Sequence, residues 1–149
     1  MWNDKRSMML SKACTLLCLV FVVVVLVTGP QLVLWLMGIS YNAQMADARL
    51  FLATIYVGGA VAVGLLVLLY RLLHNISHDI VFVHANVALM RYISWGCFAG
   101  GAVGLASALY YLPWGIVGLA AGFIGLILRV LKNVFAQAVE IKNENDYTV

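Results

Sequence analysis

The residues best suited to chemistry in this chain are its three histidines, which all lie between His74 and Arg91. His74 and His78 are four residues apart, so a helix would place both on one face. His84 follows, with Asp79 as the one nearby carboxylate. A zinc site needs about four ligands, or three and a water molecule, each held by further hydrogen bonds. This short segment has no cysteine and no HExxH pattern, so we interpret the histidines as polar connection residues rather than metal ligands.

Other catalytic signatures are absent from the sequence, which contains no GxSxG, no kinase motif set and no phosphate-binding P-loop. The long apolar blocks also contain no Asp, Glu, Lys, Arg or His. Proton relays and ion-coupled carriers usually keep such groups near the middle of the membrane. We therefore predict that the chain is not an enzyme and binds no cofactor, and active transport by this chain alone is disfavoured.

Composition and charge placement predict the elements that must position these residues. Apolar residues make up 64% of the chain and charged residues 10%, against about half and about a quarter in soluble domains. Charged residues are missing from 13–46, 50–70 and 92–128. One crossing of a bilayer takes roughly 20 residues. The third block therefore contains two crossings, and the break lies at Tyr110–Gly115, where Pro113 cannot continue a helix.

The fold class that follows is all-α, an integral membrane bundle in which a single domain spans residues 1–149. Four transmembrane helices are predicted near residues 14–37, 50–73, 92–112 and 114–131. Apolar residues continue beyond this point at helical spacing, at Leu131, Val134, Phe135, Ala138 and Ile141. We therefore predict a helical C-terminal extension over residues 132–149.

Orientation is predicted from the lysines and arginines, which concentrate on the cytoplasmic side of membrane proteins. Four crossings place the two termini and the His74–Arg91 connection on one side. Arg49 alone lies on the other side, whereas the first side holds Lys5, Arg6, Lys12, Arg71, Arg91, Arg129, Lys132 and Lys142. Both termini and the connection are therefore predicted to be cytoplasmic. The net charge of +3 reflects this topology, and no direct nucleic-acid binding is expected.

Small residues recur at helical spacing in the second half of the chain. Gly96, Gly100, Gly104 and Ala108 form one stripe, and Gly118, Gly122 and Gly125 form another. Small residues allow helix backbones to approach closely in lipid. The two stripes predict a tight hairpin of the third and fourth helices. A homo-oligomer that uses the same stripes is an alternative that the sequence leaves open.

Two motifs lie on the predicted cytoplasmic side. The connection contains F-x-x-x-N-V-x-x-M-R-x-I, from Phe82 to Ile93, and the chain ends in FAQAVEIKNENDYTV, from Phe135 to Val149. Together they resemble a bacterial membrane-protein family known as domain of unknown function 2975, and the resemblance covers essentially the whole chain. Val83 stands where that family usually has Ser or Thr, a residue that would cap the following helix. Met90 replaces a leucine.

The resemblance implies a four-helix protein of the bacterial plasma membrane whose matching residues form a cytoplasmic interaction site. Those residues are Phe82, Asn86, Arg91, Phe135, Glu144, Asn145 and Asp146. The apolar stripe of the extension has three possible places: the membrane surface, the Phe82 segment, or a partner helix. If it packs on the Phe82 segment, the polar members of the set are expected to hold the two together.

Members of that family resemble small membrane proteins often encoded beside a short helix-turn-helix DNA-binding protein. The resemblance therefore implies an interaction module that binds such a regulator. The alternative function is immunity to, or export of, a membrane-active peptide or lipophilic compound. A metal or haem protein is the third possibility and would depend on His74 and His78.

Overall fold

The computed structural model of the protein describes residues 4–39, 47–78 and 80–147, with the side chains of 4, 5, 146 and 147 excepted. The described residues form four helices. They are α1 (Asp4–Ile39), α2 (Ala48–Ser77), α3 (His84–Ser107) and α4 (Pro113–Tyr147). The prediction of an all-helical chain with four helices is confirmed.

Three of these helices are long and apolar enough to cross a membrane: Arg6–Ile39, Ala48–Ser77 and Pro113–Asn145. This is typical of a multi-pass membrane protein. At 24 residues, α3 is shorter. It is less apolar because it includes Asn86, Arg91 and four glycines. The part of α3 after Arg91 rises only about 24 Å, less than the roughly 30 Å of a hydrocarbon core.

The helices extend further than the apolar blocks. α1 begins ten residues before the predicted start at residue 14, through a segment with two Met, two Lys, and one each of Arg, Leu and Ala, which are good helix formers. α4 runs without a break from Pro113 to Tyr147 and so includes residues 132–147 of the predicted extension, whereas Thr148 and Val149 lie outside the described residues. Hydropathy marks where lipid surrounds a helix, whereas the helix itself ends where its backbone hydrogen bonds end.

The N-terminal ends of α2 and α3 differ in how they are capped. Asp47 caps α2 because its side chain accepts a hydrogen bond from the backbone N–H of Arg49, at 2.9 Å. Val83 precedes α3 in extended conformation and makes no side-chain cap bond. A Ser or Thr at position 83 would supply the missing acceptor. The first turn of α3 therefore depends on other contacts, described below.

Each helix packs against the next one along the chain, α1 on α2, α2 on α3 and α3 on α4. Within the described residues α1 and α4 make no close backbone approach. The central helix α3 contacts both α2 and α4. Among the described residues it has more buried positions than any other helix, nine between Asn86 and Ser107. Because it is covered by protein on two sides, α3 needs less apolar surface than a helix that faces lipid all round.

One end of the assembly, which we call the aromatic end, has an apolar core at Val33 and Phe51. The Phe51 ring lies 5.2 Å from those of Tyr110 and Tyr111, centroid to centroid. The Tyr110 hydroxyl donates to the carbonyl of Leu50 at 3.1 Å. These contacts fix the turn between α3 and α4 against the start of α2. The turn lies where the sequence predicts a break.

The opposite end, the connection end, contains the α2–α3 connection, the N-terminal part of α1 and the C-terminal half of α4. The Lys12 ammonium donates to the Ser77 hydroxyl, which places α1 beside the end of α2. Phe82 in the connection contacts Phe135 of α4. The N-terminal part of α1 and the C-terminal half of α4 therefore lie at the same end of the assembly.

The glycines divide between two faces of α3. Gly101 and Gly104 pack on α4, where an added Cβ at Gly104 would lie 2.7 Å from the Gly118 Cα. Gly96 and Gly100 instead face Leu65 and Val61 of α2. The predicted α3–α4 hairpin exists, but Gly96 and Gly100 do not belong to it. These glycines have partners within the chain, and a homo-oligomer remains a prediction.

Candidate interaction surface

The connection packs on α4 through two aromatic rings. Phe82 and Phe135 are stacked, with ring centroids 6.0 Å apart and planes 28° from parallel. Such a pair stabilises by about 0.5–1.5 kcal/mol beyond burial. His84, the first residue of α3, adds a contact of 3.5 Å between its Nε2 and the Nδ2 of Asn143. Of the three places considered for the extension, the structure shows contact with the Phe82 segment.

A groove lies beside this aromatic pair. Its volume is about 500 Å³, and Phe82, Ala138, Ile141, Lys142 and Asn145 line it. Ile141 is 60% exposed and Phe82 is 43% exposed. Val139, on the other side of the same helix, is 1% exposed and faces the protein. We call the five lining residues the Phe82 groove. It combines an apolar floor with one cation and one amide at its rim.

Asn86 holds the connection together from inside. Its side chain is 1% exposed, and its amide N–H groups donate to the carbonyls of Ile80 and Val81 at 2.7 and 2.8 Å. Its carbonyl oxygen accepts from the Asn75 amide at 2.8 Å. Asn86 was predicted to hold the extension, but its hydrogen bonds go to the connection and to α2. It shapes the surface without being part of it.

Arg91 lies away from the Phe82 groove. With Ser94 and Trp95 of α3 and Arg129 and Lys132 of α4, it lines a small cavity of about 120 Å³. The Arg129 guanidinium lies over the Trp95 ring, 5.7 Å from its centroid. The sequence predicts Arg91 beside the extension, whereas the structure places it among other cations.

The last predicted residues lie on the final turns of α4. Glu144 and Asn145 are exposed, and Asn145 lines the Phe82 groove. Asp146 is within α4, but its side chain lies outside the described part of the chain. Phe82, Phe135 and Asn145 therefore come together at one surface, whereas Asn86 lies beneath it and Arg91 lies elsewhere.

Comparison of the sequence with known proteins assigns the chain to a family. The family model described as protein of unknown function (DUF2975) matches residues 39–149. The chain belongs to the DUF2975 family. No curated protein and no solved structure matches the chain.

The DUF2975 match includes α2, α3 and α4 and leaves out α1 except for Ile39. It contains both motifs, so the Phe82 groove and the cationic cavity are built wholly from family-matched sequence. The expectation that the family pattern covers essentially the whole chain applies to these three helices only.

The histidines of this DUF2975 protein separate into a pair and a single residue. The rings of His74 and His78 lie 4.4 Å apart, centroid to centroid, while His84 contacts Asn143 of α4. Asp79 lies outside the described residues. Across the parts of the chain that the structure describes, no group of three His, Cys, Asp or Glu side chains could hold a metal ion.

Sequence reasoning missed two residues that position the surface. Asn75 bonds to Asn86, and Ser94 donates to the Gly125 carbonyl at 2.8 Å, which ties α3 to α4. Both are polar residues within or beside an apolar block, and this was the available signal. Their partners lie 11 and 31 positions away, so spacing alone did not reveal them.

Proposed function

We propose that this DUF2975 protein is a non-enzymatic regulatory module of the bacterial plasma membrane. In this proposal α3, continued by the turn before Pro113, is a fourth crossing, and both termini and the connection are cytoplasmic. Eight of the nine lysines and arginines then flank the cytoplasmic side, as the positive-inside rule favours. The contact of Lys12 with Ser77, near one end of the assembly, agrees with this placement.

The cytoplasmic face binds a partner helix, and the observation that carries this proposal is the exposed Phe82 groove. Amphipathic helices dock in apolar grooves through anchors spaced by three and four residues. The groove has an apolar floor at Phe82, Ala138 and Ile141. The partner is a small helix-turn-helix DNA-binding protein, as the family resemblance implies, and sequestration at the membrane would regulate it.

Topology is tested by cysteine labelling in intact cells. In a background with Cys14, Cys18 and Cys97 replaced by serine, a membrane-impermeant maleimide is expected to label Arg49→Cys and to leave His78→Cys unlabelled until the cells are opened. Both native side chains are exposed, so access depends on the side of the membrane. External labelling at position 78 would overturn the orientation.

Partner binding is tested with one residue of the Phe82 groove. Ile141→Glu is expected to reduce recovery of the small DNA-binding protein by on the order of tenfold or more, because a carboxylate on the apolar floor must be desolvated when a partner helix docks. Co-purification of the full-length protein from membranes, with the partner identified by mass spectrometry, provides the measurement. Deletion of residues 142–149 is expected to have the same effect.

The matched control is Gln137→Glu, which adds the same charge at an exposed position of α4 that does not line the groove. It is expected to leave recovery unchanged. If Ile141→Glu and the deletion variant are both inserted in the membrane and both recover as much partner as the wild-type protein does, the proposed surface is wrong.

A further inference from the structure

A second surface of the connection end is a small cationic cavity on the seam between α3 and α4. Arg91, Arg129 and Lys132 surround it together with Ser94 and Trp95, and its volume is about 120 Å³. Pockets for drug-sized ligands begin at about 300 Å³. This cavity therefore fits a single small group rather than a whole organic ligand.

Close helix packing forces the three cations together. Ser94 donates to the Gly125 carbonyl at 2.8 Å, and a Cβ added at Gly125 would lie 3.2 Å from the Cβ of Cys97. Arg91 precedes Ser94 by about one turn, and Arg129 follows Gly125 by about one turn. The shared contact point thus places the cations of the two helices on opposite sides of one cavity.

Like charges that line one small cavity repel one another, and the repulsion is larger near the low-dielectric membrane than in water. The cavity lining contains no acidic residue, so no carboxylate of the lining offsets the three charges. The Arg129 guanidinium over Trp95 gains a cation–π contact, which holds it in place without reducing the net charge. The site is therefore arranged for an anion.

The neighbouring surface indicates where that anion comes from. Trp95 is 59% exposed and Val130 is 63% exposed. Trp and Tyr prefer the headgroup level of a bilayer, where their rings meet both lipid and water. Arginine guanidinium groups bind phosphate oxygens with two parallel hydrogen bonds. An anion bound here would be in contact with protein on one side and with lipid-facing apolar surface on the other.

We propose that this cavity binds the phosphate of an anionic phospholipid. Arg91, Arg129 and Lys132 hold the phosphate, and the acyl chains extend along the exposed apolar surface of α3 and α4. The inference depends on the proposed placement of the connection end at the membrane surface, but not on the proposed protein partner. Basic pockets between membrane helices on the cytoplasmic side are a recognised type of lipid headgroup site.

Native mass spectrometry of the full-length protein in detergent tests the site. Phosphatidylglycerol is offered in competition with phosphatidylcholine, which has a phosphate but no net charge. The wild-type protein is expected to retain phosphatidylglycerol preferentially. The double variant Arg91→Gln/Lys132→Gln is expected to lose roughly thirtyfold in that retention, from about 1 kcal/mol for each cation.

The control variant Arg6→Gln/Arg71→Gln removes the same total charge from exposed side chains that line neither this cavity nor the Phe82 groove. It is expected to retain the lipid as the wild type does. An equal loss in the control, or no loss in the Arg91→Gln/Lys132→Gln variant, would overturn the proposal. If the double variant does not fold, the single variants Arg91→Gln and Lys132→Gln are compared with Arg6→Gln, and each is expected to lose about fivefold.

Inorganic phosphate distinguishes the two sources of the anion. Added at the same concentration as the lipid, it is expected not to displace phosphatidylglycerol, because it cannot use the apolar surface beside Trp95. Displacement by inorganic phosphate would show a site for free phosphate and would overturn the lipid assignment. Both results are independent of the Ile141→Glu experiment, because Ile141 does not line this cavity.

Discussion

Gly118→Ala is expected to destabilise this protein strongly although it adds only one methyl group. An added Cβ at Gly118 would lie 2.7 Å from the Leu105 nitrogen and 2.8 Å from the Gly101 carbonyl oxygen. Both are backbone atoms, so no side-chain rotation relieves the contact. Overpacking of this kind costs about 1–3 kcal/mol, and we expect the upper end of that range because two helices must separate.

The measurement is thermal or denaturant unfolding of the purified protein in detergent, followed by loss of helical signal. Gly122→Ala is the matched control on the same helix, because nothing lies within 4 Å of a Cβ built there. It is expected to be neutral or slightly stabilising, since alanine favours helix over glycine by about 1 kcal/mol. Equal destabilisation by the two substitutions would contradict the close α3–α4 contact.

The glycines also show how far sequence reasoning reaches in this fold. Four-residue spacing predicts that Gly96, Gly100 and Gly104 share a face, and two helices in series predict a hairpin. The structure splits the set, because α3 lies between two neighbours and Gly96 meets Leu65 of α2. Spacing identifies a face that admits close packing, whereas which helix occupies that face depends on the arrangement of all four.

Hydropathy similarly predicts which segments are apolar, but it does not predict where the helices end. The absence of charge predicted where the chain is apolar, but α4 continues to Tyr147 through charged sequence. Helix continuation needs only backbone hydrogen bonds and suitable side chains, and a charged helix in water satisfies both. The apolar spacing from Leu131 to Ile141 was the signal that did predict this extension.

The candidate surface was predicted in part. Phe82 and Phe135 were both selected, and the structure stacks them. The position of Arg91 depends on the register of α3 against α4, which the Ser94–Gly125 hydrogen bond sets. The carbonyls that Asn86 contacts become acceptors only through the path of the connection. Neither the register of α3 against α4 nor the path of the connection can be predicted from the types of these residues.

Asn86→Ala is the second substitution for which we expect a large effect. It removes two hydrogen bonds to the carbonyls of Ile80 and Val81 and a third from Asn75. Buried polar groups left without partners cost about 1–3 kcal/mol each. Partial rehydration of the connection offsets some of this cost, so we expect a loss of about 2–4 kcal/mol in the same unfolding measurement.

Asn75→Ala is the graded control, because it removes only one of the three hydrogen bonds and leaves the two carbonyls paired. Its expected cost is about 1 kcal/mol. An effect as large as that of Asn86→Ala would place the critical interaction between α2 and α3 rather than within the connection.

Asn86→Ala and Ile141→Glu are expected to affect the Phe82 groove in different ways, the first through stability and the second through partner binding alone. Val83 gives α3 no side-chain cap, whereas the Asn86 side chain bonds to the connection and to α2 and so fixes the chain between α2 and the first turn of α3. When it is replaced, Phe82 is expected to leave Phe135, and partner recovery should fall together with stability. Ile141→Glu should lower recovery with unfolding unchanged, because Ile141 is already 60% exposed. Parallel loss of both properties with Ile141→Glu would mean that the groove is a structural contact and not a docking site.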